Sequence, residues 1–182
     1  TVVVLNAGTS ASTPGQNRAA AILQSWSAGP AITDILFGDA NPSGKLPFGI
    51  EPLFPFGHGL SYTTFQYSDL RIYPQTPRYG QLIEVMFKLK NMGSRPGAEV
   101  VQVYIHDVKS SVERPFKELK GFKRVELAPG ETKDVMIPLD QRALSFYDPL
   151  IRQWATEPGE FDVIVGSSSR DSRLKGGFEL FR

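Results

Sequence analysis

Gln81-Leu-Ile-Glu-Val-Met-Phe-Lys-Leu-Lys90 decides the fold. Ile83, Val85, Phe87 and Leu89 recur at every second position, with Leu82 out of step and Glu84, Met86 and Lys88 between them. Strand side chains point alternately to opposite faces, so this period of two predicts a strand with one buried face. Outward from it, Val101, Val103 and Ile105 repeat the alternation after the turn residues Ser94-Arg95-Pro96-Gly97. Leu119 to Leu127 precedes the turn Ala128-Pro129-Gly130-Glu131, and Val135, Ile137 and Leu139 alternate beyond it. Pro138 has no N–H for a ladder and marks an edge or a strand end. Phe161, Val163 and Val165 follow Glu157-Pro158-Gly159, and Gly177-Phe178-Glu179-Leu180 makes a last short run. From Phe65 onward, about seven short strands between turn signals predict an antiparallel β-sandwich over residues 66–182.

Residues 1–50 have a different character. Val2-Val3-Val4-Leu5, bounded by Asn6 and Gly8, reads as a buried strand. Thr13-Pro14 offers a helix start, and Ala19 to Ser25 carries strong helix formers, so a helix is expected there. Trp26-Ser-Ala-Gly-Pro30 is a breaker cluster. A second helix is expected over Ala31 to Phe37, closed by turn residues from Gly38 to Gly44. One parallel strand needs neighbours, so this is an incomplete α/β segment, expected to be unstable alone. A start inside a strand points to a piece of a longer chain. Residues 51–65 complete a Pro-, Gly- and Phe-rich stretch that reads as an ordered connector, expected to pack Phe54, Phe56 and Tyr62 between the two parts.

Composition narrows the chemistry. The 182 residues are 41% hydrophobic and 21% charged, with formal net charge +1. That balance offers no basic face for nucleic acid, and no apolar run approaches the roughly 20 residues of a membrane span. With no cysteine there is no disulfide, thiolate metal site or cysteine nucleophile. Two histidines, His58 and His106, are too few for a histidine-built metal cage, and no cofactor motif is present.

General acid/base work needs two carboxylates converging with shifted pKa values. Asp34, Asp39 and Glu51 show no such pairing; Asp34 reads as a solvated helix residue and Asp39 as a turn residue. His58 reads as packed in an aromatic turn, and His106, beside Asp107, as a surface or loop contact. Asn6-Ala7-Gly8-Thr9-Ser10 lacks the spacing and the Lys of a phosphate loop. Lys117, Lys120, Lys123 and Arg124, interleaved with Phe116 and Phe122 and diluted by Glu113, Glu118 and Glu126, read as a solvated strand face rather than a strand-binding platform. Trp26 and Trp154 can stack on sugars but more often pack in cores or interfaces.

Four motifs occur in order: Leu36-Phe-Gly-Asp-Ala-Asn-Pro-Ser-Gly-Lys-Leu-Pro47, Leu53-Phe-Pro-Phe-Gly-His-Gly-Leu-Ser-Tyr-Thr-Thr-Phe65, Lys117-Glu-Leu-Lys-Gly-Phe122 and Leu127-Ala-Pro-Gly-Glu131. Together they closely resemble the C-terminal part of glycoside hydrolase family 3, the β-glucosidase and β-xylosidase family. The resemblance covers essentially the whole chain. It implies that residues 1–50 are the end of an α/β sandwich domain and residues 66–182 a fibronectin type III-like domain, a mainly β fold with an incomplete α/β segment.

The family's reaction is retaining hydrolysis of a β-glycosidic bond by two carboxyl groups about 5 Å apart. By resemblance, the nucleophilic Asp belongs to an N-terminal barrel and the acid/base to the α/β domain upstream of residue 1. No carboxylate here matches either motif, so no catalytic, cofactor-binding or metal residue is assigned. The parent is expected to be an enzyme on a carbohydrate substrate and this chain alone inactive, its partners being the barrel and the rest of the α/β sandwich. The residues leave the compartment open, with a polysaccharide-degrading parent favouring a secreted or periplasmic setting. Two stretches are shorter than the family's pattern: Ser-Ala-Gly-Pro between Trp26 and Ala31, and Gly-Ile-Glu-Pro between Phe48 and Leu53. Two other readings stand beside this one. One is a carbohydrate-binding module with Tyr73, Tyr79 and Trp154 as its platform; the other is a β-sandwich interaction module.

Overall fold

A computed structural model describes residues 1–8, 18–27, 29–49 and 53–182. In it β4 (Ile83–Asn91) buries Ile83, Val85, Phe87 and Leu89 to 2% exposure or less, as its period of two requires. Each such side chain moved out of water contributes about 1.5–3 kcal/mol. β4 is flanked antiparallel by β3 (Phe65–Tyr73) and β7 (Thr132–Leu139), a three-stranded sheet. Pro138 sits on β7, an edge strand, where its missing N–H costs no ladder bond.

The facing sheet has four antiparallel strands in the order β11-β10-β5-β6. These are β5 (Gly97–Asp107), β6 (Glu118–Leu127), β10 (Gly159–Gly166) and β11 (Ser172–Leu180). Val101, Val103 and Ile105 of β5 and Phe161, Val163 and Val165 of β10 meet the inner face of the first sheet, with Phe161 and Phe178 stacked at 5.4 Å. The β6–β7 turn uses Gly130 at φ 73°, and Glu131 returns to accept from the Ala128 N–H at 2.7 Å. Gly121 marks a close approach: a Cβ there would lie 2.5 Å from Ile137 Cγ2 on β7. α2 (Gln141–Leu144), capped by Asp140, leads into a small ribbon of β8 (Phe146–Asp148) and β9 (Gln153–Ala155). The fold is mainly β, as the sequence pattern requires.

The first part differs from expectation at two points, the state of Ala21–Ser25 and the burial of β1. Ala21–Ser25, expected as part of a helix, is β2, paired parallel to β1 (Val2–Asn6) from Val2↔Ala21 to Asn6↔Ser25. Alanine's helix preference is worth under about 1 kcal/mol per residue, and β1 has ladder groups that β2 satisfies. Gln24 Nε2 reinforces the pair by donating to Ala7 O at 2.9 Å. Thr13-Pro14 lies outside the described residues. α1 (Ala31–Phe37) forms as expected, with Ile32 and Ile35 half-buried but no residue fully so. β1, expected as a buried strand, exposes Val2 and Val4 on one face, while Val3 and Leu5, with Ile22 and Leu23 of β2, are half-buried and none is fully so. Among the described residues no helix is long and apolar enough to cross a membrane.

Candidate functional site

β5 is buried on both faces, which an ordinary outer strand surface is not. Its outward residues Gln102 and Tyr104 are roofed by the connector. Gln102 Nε2 donates to Gly57 O at 3.1 Å and to Ser167 O at 2.7 Å, while its Oε1 accepts from Tyr104 Oη at 2.5 Å. The roof requires glycine at 57: φ is 78°, and a Cβ would fall 2.1 Å from Gln102 Oε1. The two limbs of the connector hold each other through Leu46 N to His58 O at 2.8 Å and Gly57 N to Leu46 O at 2.7 Å. Ser169 N to Phe56 O at 2.9 Å ties the connector to the β10–β11 turn.

Asn41 joins all three parts. Its Oδ1 accepts from Ser61 Oγ and Tyr62 N, and its Nδ2 donates to Pro96 O at 3.0 Å. Tyr62 Oη donates to Ile35 O of α1 at 2.7 Å, although the ring is 47% exposed rather than enclosed. Phe54 and Phe56 are half-buried, and Phe54 stacks on His58 at 5.2 Å.

At the end of the inner face, Glu99 is 5% exposed and accepts from Lys45 Nζ and Tyr67 Oη, each at 3.0 Å. Burial pushes the Glu99 carboxyl above its ordinary range, more strongly than Lys45 and Tyr67 pull it down. Burial, and then the charge of Glu99, push the Tyr67 phenol far upward. Beside this group an open cleft of about 350 Å³ is lined by Leu53, Leu60, His58, Ser167, Ser168 and Asp171, among others. Burial, aided by Lys45, lowers the His58 pKa against the opposing pull of Asp171. Burial works to raise Asp171, but hydrogen bonds from Arg173 and Ser167 outweigh it and hold the carboxyl below its ordinary range.

The other sequence candidates are spread over the molecule. Asp34 and Asp39 are exposed, on α1 and in the turn after it, and Glu51 lies outside the described residues. His106 is half-buried and stacks on Phe116 at 4.5 Å. The basic run is broken into local pairs: Lys120 with Glu118 at 3.4 Å, Arg124 with Glu126, and Lys117 over the Tyr104 ring. Trp26 is half-exposed against Phe48, and Trp154 is exposed with the Arg142 guanidinium 3.2 Å from its ring centre. Tyr73 is exposed while Tyr79 packs on the core, its hydroxyl donating to Thr156 O at 2.6 Å; the three aromatics of the platform reading do not share one face state. Among the described residues no group of three or more His, Asp or Glu could hold a metal ion.

Lys45, Glu99, Tyr67, Gln102 and Asp171 were not singled out by sequence reasoning. Glu99 carried a signal, since it shares the inward register of Val101, Val103 and Ile105, where a carboxylate needs a buried partner.

The same two-part organisation recurs in known proteins. Residues 1–62 match the glycosyl hydrolase family 3 C-terminal domain and residues 99–169 the fibronectin type III-like domain. Thermostable β-glucosidase B of Acetivibrio thermocellus is 41% identical over 216 residues, covering 96% of this chain and 29% of its own length. A periplasmic β-glucosidase of Salmonella typhimurium is 37% identical, covering 98% of this chain and 28% of its own. The structure of β-glucosidase 3B from Thermotoga neapolitana with α-D-glucose superimposes with TM-score 0.88 at 33% identity, covering 98% of this chain and 31% of that one. The chain thus spans under a third of the length of these relatives. The 216 aligned positions of the first exceed the 182 residues here, so that enzyme carries stretches this chain lacks. From its four ordered motifs, its roofed β-sandwich and these matches, the chain belongs to glycoside hydrolase family 3, corresponding to the C-terminal and fibronectin type III-like regions of its β-glucosidases.

Proposed function

We propose that this chain is the C-terminal portion of a retaining β-glucosidase-like hydrolase of β-linked glucosides or oligosaccharides. Residues 1–50 contribute to its α/β sandwich, 51–65 connect, and 66–182 form the fibronectin type III-like domain. The chain itself supplies no catalytic carboxylate; its task is to buttress and frame domains that carry them. One observation supports this reading above the others: relatives along nearly the whole chain are β-glucosidases in which the matched region is under a third of the length. The β1–β2 pair fits it too, since a two-stranded parallel sheet with Val2 and Val4 exposed and no side chain fully buried requires further layers.

A domain exchange tests the proposal. Residues 66–182 replace the matching stretch of the Acetivibrio thermocellus enzyme, and hydrolysis of an aryl β-glucoside is measured. The expected hybrid keeps activity within about tenfold, a barrier change near 1.4 kcal/mol. A folded, soluble hybrid with no turnover contradicts it.

A further inference from the structure

The cleft between the connector and the β10–β11 turn has a donor–acceptor pattern that the supporting role does not use. Its Leu53 and Leu60 side chains give an apolar wall, and Leu60 is 77% exposed. The same cleft is lined by Asp171, whose bonds from Ser167 Oγ at 2.6 Å and Arg173 Nε and Nη2 at 2.9 and 2.7 Å all converge on Oδ2. Its Oδ1 is left as an acceptor. Ser168 is buried and its Oγ accepts from Asp171 N at 3.1 Å, so its hydroxyl hydrogen remains available to a ligand. The His58 ring is stacked by Phe54 on one face, and no described residue hydrogen-bonds its nitrogens. Held neutral by burial, it offers one donor and one acceptor.

Arg170 and Asp171, one charge of each sign, both line the cleft and each has a partner of its own, Arg173 for the carboxylate, so neither charge is left free to hold an anion or a cation. Hydroxyl groups, which donate and accept, answer this array, while the Leu53–Leu60 wall suits an aliphatic C–H face. The volume lies near the low end of the roughly 300–1,000 Å³ typical of ligand clefts, enough for one small ring. The geometry points to a binding site for a single neutral pyranose at this junction, contacting His58 and Asp171 and leaning on Leu60. Its occupant would bridge the connector and the sandwich, two elements otherwise joined through Gly57, Phe56 and Gln102. This reading does not depend on the activity proposed above, because binding is read without turnover.

The chain's two histidines make the test direct. D-glucose is titrated into the isotope-labelled chain while both imidazole resonances are followed, His106→Gln supplying the assignment. The expected result is a saturable shift of His58, with a dissociation constant on the order of millimolar for so open a cleft, and a stationary His106. Leu60→Asp, at an exposed position that leaves the fold intact, is expected to weaken the response at least tenfold. No His58 shift, an equal linear drift of both imidazoles, an unchanged response in Leu60→Asp, or a shift with sodium phosphate but not with glucose would each overturn the assignment.

Discussion

Lys45 Nζ lies 3.0 Å from Glu99 Oε1, with both side chains at most 10% exposed. The pair joins the segment that follows α1 to the first inward side chain of β5 after Gly97, across 54 residues of sequence. It fastens the α/β part to the sandwich at the point where the sandwich core opens. Lys45 also donates to Gly59 O at 3.0 Å, so one ammonium holds both limbs of the connector against β5.

Lys45→Met is therefore expected to destabilise the chain by about 3 kcal/mol, the low end for breaking a buried ion pair. The low end applies because burial already inclines Glu99 to take up a proton. Adding Glu99→Gln, which keeps an acceptor for Tyr67, should recover most of the loss. Denaturant unfolding of the two variants checks this; equal losses in both would contradict it.

His58 should make stability depend on pH. Its folded pKa lies below the ordinary 6.5, so the unfolded chain binds the proton more readily, and the contribution is lost as pH falls from 6.5 through the folded value. Glu99 acts oppositely: its raised folded pKa lets the native state hold a proton longer, so its term weakens stability as pH rises from the ordinary 4.5 through the folded value. Unfolding midpoints against pH should show a His58 component that disappears in His58→Gln and a Glu99 component that disappears in Glu99→Gln.

Gly57→Ala is expected to cost about 2 kcal/mol or more, because the position combines positive φ with contact against Gln102. The roof over β5 should loosen before the core does. Amide exchange at Tyr104 and Ser169 rising ahead of Val85 is the measurement; uniform exchange would contradict it.

Asn91 shows how completely the core's polar groups are matched. It is fully buried, accepts from Thr63 Oγ1 at 2.5 Å and Gly93 N at 3.0 Å, and donates to Arg95 O at 2.7 Å and Leu127 O at 3.2 Å. Asn91→Ala leaves these groups unpaired and should cost about 2–4 kcal/mol. Thermal unfolding that stays within experimental scatter of the parent would contradict it.

Ile83 to Leu89 and Val101 to Ile105 announced the sandwich because burial of one face imposes a period of two that short-range sequence displays directly. Ala21–Ser25 did not announce itself. Five residues are too few for either period to dominate, and the alanines favoured a helix while the open edge of β1 decided for a strand. The family motif containing Lys45 and Asn41 was legible as a pattern, but its physical role was not. Lys45 meets Glu99 and Asn41 meets Pro96 only after the chain folds back, and no local spacing encodes such a meeting. Likewise the burial of Gln102 and Tyr104 depends on the connector lying over β5, which their alternation with Val101 and Val103 does not encode.

On the proposed function, the catalytic carboxylates lie outside these 182 residues. The most direct measurement is hydrolysis of chromogenic aryl β-glucoside and β-xyloside by the purified chain. The expected result is no turnover above background. Turnover that co-purifies with the chain, persists through repurification and is lost on substituting one of its own carboxylates would contradict it.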